Sequence, residues 1–219
     1  LSDEILPYVR FHSQSRKIDS LGYCIGGRLL LAASSYKYKG HYKMSANTIG
    51  KRIFLATPFK FNIADKWLGS LVQDNADTIN TYLKTTDYVP KHIIQFMFFM
   101  QSPEKYLEKY TKSASRHQNS PEKEKLFMAI ERWLNSSPNL PSGLVQECLT
   151  TWFLNDAPGR EGVTNSGFSD AERNAGNTNE LNHDDDLILY ARNDHIAPVA
   201  STSALKDVLP DARVEMLDC

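Results

Sequence analysis

The segment Gly22-Tyr23-Cys24-Ile25-Gly26-Gly27 constrains this chain more than any other. Residues 17–23 (KIDSLGY) alternate apolar and polar side chains, the pattern of a strand, and the pattern from residue 26 to 38 is helical. Cys24 therefore stands in a Gly-x-Cys-x-Gly turn between a strand and a helix, the form of a nucleophile elbow. Such a turn is sharp and strained, so the residues two away on either side must be small enough for strand and helix to approach. The central side chain is thrust out at the carboxyl end of the sheet. The free N–H groups and dipole of the following helix favour a thiolate there. The amide of Ile25, next after the nucleophile, is placed to donate to an oxyanion. The plainer alternative is a small buried cysteine in a glycine-rich turn, with a phosphate on the helix end. A P-loop is excluded, because the segment lacks the Gly-Lys-Ser/Thr ending.

A second polar turn, Asn193-Asp194-His195-Ile196-Ala197-Pro198, follows a strand-like run at 187–192 (LILYAR). By itself it reads as an Asx turn in which Asp194 caps the next helix. An acid after a late strand is also where a hydrolase-type fold keeps the carboxylate that orients its base. Further strands are expected at 52–57 (RIFLAT) and 213–217 (RVEML), and helices at 2–14, with Ile5, Leu6, Val9 and Phe11 on one face, and at 201–208. Between them, 66–83, 90–100, 103–113, 121–134 and 141–154 are helical and start near Pro, Ser or Asp. Residues 159–184 are polar and read as a solvated loop. The layout predicts an α/β fold with a parallel sheet of four strands, the first at an open edge, and a helical insertion. The expected division is 1–63 and 185–219 for the core, 64–158 for the insertion and 159–184 for the loop.

GYCIGGRLL at 22–30 and ARNDHIAP at 191–198 resemble the polyhydroxyalkanoate synthases, a family within the α/β-hydrolases. LATPF at 55–59, SPEKYLEKY at 102–110, AIERWLN at 129–135 and TTWFLNDAPGR at 150–160 follow in family order. The resemblance implies an α/β-hydrolase-type sheet in its carboxyl-terminal half, with the insertion as a cap over the active site. It implies acyl transfer: Cys24 attacks a 3-hydroxyacyl-CoA thioester, and a hydroxyl then takes the acyl group. Asp194 matches the family's acid, and His195 beside it is not the general base. That base follows the last strand in a Gly-His turn. None of His12, His41, His92, His117, His183 and His195 lies there. The chain is therefore expected to be a fragment, lacking early strands and the base, and inactive alone. The rivals are an esterase or thioesterase, in which water resolves the acyl-enzyme, and a non-catalytic relative that only binds. A second copy or a synthase partner subunit is the expected protein partner.

Lys and Arg number 25 against 26 Asp and Glu, which leaves no electrostatic footprint for nucleic acid. The longest apolar stretch, 93–100, is far short of the roughly 20 residues of a spanning helix. Cys24, Cys148 and Cys219 show no CxxC spacing, so neither a disulfide framework nor zinc is expected, and a reducing, cytoplasmic setting is the default expectation. No cofactor or metal is implied: His183 with Asp184, Asp185 and Asp186 reads as solvated loop, because consecutive side chains diverge. The aromatic run 96–99, with Met97 and Met100, is expected to pack the cap against the sheet rather than to offer an acyl-binding or oligomer surface. Trp67, Trp133 and Trp152 are read as packing residues, and Cys148 as a buried structural thiol.

Overall fold

Four segments rich in branched and aliphatic residues pair side by side in one parallel sheet: β1 (Ile18–Tyr23), β4 (Ile49–Leu55), β7 (Leu187–Ala191) and β8 (Arg213–Leu217), in the order β1-β4-β7-β8. The structure is a computed structural model, and it describes residues 4–35, 37–38, 41–42, 48–61, 66–117, 120–154 and 185–218. The polar loop expected at 159–184, and Cys219, lie outside the described residues. The chain divides into two compact units, one of Leu1–Gly69 with Thr151–Cys219, the other Ser70–Thr150. The parallel sheet with helical crossovers and the elbow after β1 make the first unit an α/β-hydrolase-type fold.

In that unit α1 (Ile5–Ser13) leads into β1, and α2 (Ile25–Ser35) follows it. The two-residue strands β2 (Lys37–Tyr38) and β3 (His41–Tyr42) pair antiparallel before β4. After β7 come α9 (Val199–Ser203) and a 3₁₀ turn (Ala204–Asp207), and β8 closes the sheet. Leu30 and Leu31 of α2, Ile49 and Phe54 of β4, Ile188 of β7, and Leu205 and Leu209 interlock in one buried cluster. The strand expected at 52–57 is displaced to 49–55, because the backbone leaves the sheet at Ala56, whose φ is 47°. As expected, β1 lies at the edge, with Leu21 and Tyr23 exposed. The predicted apolar face of α1 is corrected: only Leu6 is buried, while Ile5, Tyr8, Val9 and Phe11 face solvent.

Asp186 also departs from expectation. It is buried, and its carboxylate accepts two hydrogen bonds from the buried Arg52 guanidinium, one of them 2.8 Å from Nε. The bidentate geometry offsets the cost of taking both charges out of water. Asp185, one residue earlier, stays exposed and lies 3.6 Å from Lys51.

The second unit holds the rest of α3 (Lys66–Asp74), α4 (Ala76–Thr85), α5 (Lys91–Gln101), α6 (Pro103–His117), α7 (Pro121–Asn135) and α8 (Ser142–Glu147). The helix expected over 66–83 breaks at Asn75, whose side-chain amide donates to the Leu71 carbonyl at 2.9 Å and so ends α3. Strands β5 (Tyr88–Val89) and β6 (Leu140–Pro141) pair antiparallel. The helix expected to reach 154 turns π-helical from Cys148 to Leu154, where the Thr150 hydroxyl takes the Gln146 carbonyl. A row of rings, Phe99, Tyr106, Tyr110 and Phe127, joins α5, α6 and α7 at centroid separations of 5.2, 5.4 and 6.4 Å. Lys109 ion-pairs with Glu131 beside it. Phe96, Phe98 and Met100 are exposed, and so is Trp133, which was expected to be a packing residue. In the first unit Trp152 is buried with its ring tilted toward Phe61, centroids 6.0 Å apart, while the side chain of Trp67 lies outside the described residues.

Candidate active site

The site is assembled wholly within the first unit, at the carboxyl ends of β1, β4 and β7. Cys24 directly follows β1 and directly precedes α2, with φ of 52°. A non-glycine residue in this left-handed region persists only where its surroundings hold it. Two backbone bonds do so: the Cys24 N–H donates to the Leu55 carbonyl at 2.9 Å, and the Gly27 N–H donates to the Cys24 carbonyl at 3.0 Å.

Steric room decides which glycines matter. A Cβ on Gly22 would lie 2.4 Å from the Gly27 Cα, and one on Gly27 would lie 1.9 Å from the Thr57 hydroxyl oxygen. Strand and helix thus touch through Gly22 and Gly27. This corrects the expectation from the Gly-x-Cys-x-Gly form, because a Cβ on Gly26 would meet nothing within 4 Å. The second small residue that the crossing requires stands three places after Cys24, not two.

The thiol is partly buried, and its pKa lies above the ordinary 9.0. Burial is the largest cause. The neighbouring Ile25 N–H pulls the other way, and the nearby Asp194 charge raises the pKa again. The expectation that the helix end favours a thiolate is therefore corrected: the amide acts in that direction, but burial outweighs it. The resting group is a thiol. Ile25 is where the sequence placed its oxyanion donor, and its amide favours negative charge on the sulfur.

Asp194 lies in the turn after β7. One of its carboxylate oxygens accepts the N–H groups of Ile196 and Ala197, each at 2.9 Å. This is the Asx-type turn foreseen from the residues, but it does not cap the next helix: α9 starts at Val199 after Pro198, with no side-chain cap. The turn also fixes the carboxylate close enough to Cys24 for their charges to interact. His195 is exposed, and among the described residues no imidazole hydrogen-bonds Cys24 or Asp194. Tyr23, which the sequence reading passed over, shares the site: its pKa is raised by burial, then by the charges of Cys24 and Asp194. Its place as the variable residue of the motif was the one available signal. Cys148 stands apart in the second unit, its pKa pushed up to about 11, first by burial and then by the charge of Glu147. Among the described residues no group of three or more His, Cys, Asp or Glu could hold a metal ion, and no helix is long and apolar enough to cross a membrane.

No family model matches the chain. A curated relative, the poly(3-hydroxyalkanoate) polymerase subunit PhaC of Allochromatium vinosum, is 23% identical over 205 residues, covering 93% of this chain and 53% of that protein. The chain thus spans about half the length of the curated relative it matches. Among solved structures, the N-acyl homoserine lactone degrading enzyme Est816 aligns over 99% of this chain and 64% of its own, at 12% identity and a TM-score of 0.45. The epoxide hydrolase of Bacillus megaterium aligns over 99% and 67%, at 12% identity and a TM-score of 0.46. The chain resembles the polyhydroxyalkanoate synthases, and its sheet and elbow are of the α/β-hydrolase type.

Proposed function

We propose that Cys24 is the nucleophile of an acyl transfer, in which a 3-hydroxyacyl group passes from a CoA thioester to sulfur and then to a hydroxyl. The observation that carries this reading is the Cys24 turn itself: a left-handed non-glycine residue between strand and helix, with the Ile25 amide beside its sulfur and the Asp194 carboxylate nearby.

The thiol must first lose its proton to a base, because the thiolate is the attacking species. The thiolate adds to the thioester carbonyl carbon, and the new oxyanion takes the Ile25 amide. Collapse breaks the bond to the CoA sulfur, which departs with a proton, and leaves the acyl group on Cys24. A hydroxyl then attacks this thioester, giving an ester and restoring the thiol. Asp194 opposes a bare thiolate, yet the same charge stabilises a cation placed between the two groups. This arrangement suits an imidazole base that becomes imidazolium as Cys24 ionises. The residues described around Cys24 hold the nucleophile, one amide donor and the acid; the base is a further group that this reading requires.

Hydroxide replaces the base at about pH 9, so the nucleophile can be tested alone. The chain is incubated at that pH with 3-hydroxybutyryl-CoA, and the acyl adduct is read by intact mass and peptide mapping. The expected adduct sits on Cys24 and falls by about 10³-fold or more in Cys24→Ala. An adduct of equal extent in Cys24→Ala overturns the assignment. An ester product with added alcohol supports transfer to a hydroxyl, whereas free acid alone favours hydrolysis.

A further inference from the structure

The exit of β4 surrounds the Cys24 turn, although none of its residues belongs to the Gly-x-Cys-x-Gly motif. Tyr23 and Leu55 are register partners, and each is followed by a left-handed non-glycine residue, Cys24 with φ of 52° and Ala56 with φ of 47°. Two such residues side by side on neighbouring strands need something to hold them. The Ala56 N–H is anchored on the Leu189 carbonyl at 2.8 Å. The next residue, Thr57, is fully buried. Its Oγ1, Cγ2 and Cβ lie 1.9, 2.7 and 2.8 Å from where a side chain on Gly27 would begin. Its hydroxyl also donates to the Gly22 carbonyl at a long 3.3 Å. One side chain thus touches the residue two before Cys24 and the residue three after it.

We propose that Thr57 is a positioning residue for Cys24, a wedge between the end of β1 and the first turn of α2 that sets the direction of the thiol and keeps the Ile25 amide beside it. The shape of the wedge matters more than its long hydrogen bond. Without it, the first turn of α2 can settle toward the vacated space and carry the Ile25 N–H away from the sulfur. The thiol then ionises less readily and points elsewhere. The catalytic meaning of this device rests on the reading of Cys24 as nucleophile, whereas the positioning of the thiol can be measured without any turnover.

The measurement is the rate of Cys24 alkylation by iodoacetamide between about pH 7 and 10, followed by peptide mass, with Cys148 of the same chain as internal reference. Thr57→Ala is expected to slow Cys24 by about tenfold at a fixed mildly alkaline pH, moving its midpoint to higher pH and leaving Cys148 unchanged. Thr57→Ser, which keeps only part of the wedge, should slow it by about threefold, and Thr57→Val, which keeps the shape, should restore the parent profile. A Thr57→Ala profile superimposed on the parent overturns the proposal, as does a change of Cys24 and Cys148 in step. Should Thr57→Ala fail to fold, Thr57→Ser decides: slowing of Cys24 alone supports the wedge, and an unchanged profile overturns it. Full thioester turnover in Cys24→Ala would sink the nucleophile reading and leave the alkylation result standing.

Discussion

Strand β7 is flanked by acids at both of its ends, and the two ends treat charge in opposite ways. Toward the amino end of β7, Asp186 meets Arg52 in a buried, bidentate pair, and each charge satisfies the other. At the carboxyl end, Asp194 lies close to a thiol whose ionisation it opposes. The first arrangement holds the sheet together. The second holds a latent repulsion that arises when Cys24 ionises and that a cation placed between the two groups offsets. Within one sheet, paired charge marks the scaffold and unpaired tendency to charge marks the chemistry.

The largest effect should come from breaking the scaffold end. Arg52→Leu leaves the Asp186 carboxylate buried and uncompensated, at an expected cost of about 3–5 kcal/mol in urea unfolding. Adding Asp186→Leu should recover most of that loss; a double variant as unstable as the single would show that the pair is not what the sheet depends on. An intermediate effect is expected within the elbow. Gly27→Ala forces a methyl group onto Thr57 and should cost about 1–3 kcal/mol. Gly26→Ala, with open space around it, should stabilise the chain by about 0.5–1 kcal/mol, because glycine is a poor helix residue. Equal destabilisation by both would refute the shift of the tight contact to Gly27. The smallest effect sharpens the contrast at the carboxyl end. Asp194 raises the Cys24 pKa, so Asp194→Asn must lower it and increase the thiolate fraction at any pH below the midpoint. Iodoacetamide alkylation of Cys24 should then quicken by about threefold, roughly the effect of a charge removed across a partly buried gap. Turnover, if an imidazole works between the two groups, should fall in the same variant. Alkylation that slows instead would mean that Asp194 does not face Cys24.

Much of this was legible in the residues. The strands at 18–23, 187–191 and 213–217 and the helical series from 66 to 154 follow from periodicity and from prolines at helix starts, which are local signals. So does Asp194 in its turn, since an Asx turn is made by neighbours in sequence. Three things were not legible. Asp186 read as one of three solvated acids because its partner Arg52 lies 134 positions away. Gly26 and Gly27 look alike in a string, and only the approach of Thr57 from another strand separates them. The thiol of Cys24 was expected to favour ionisation from its place at a helix end, but the balance turned on burial, which the whole unit sets.

The sequence by itself determined where the chain must turn, which segments pair as strands or coil as helices, and which thiol and carboxylate stand at strand ends, because those features depend on residues within a few places of one another. The tertiary structure decided which glycine bears the crossing, which acid is buried, and in which direction the Cys24 thiol is driven. Those depend on excluded volume and on charges brought together from distant parts of the chain, and no local pattern records the distance between atoms that only folding makes neighbours.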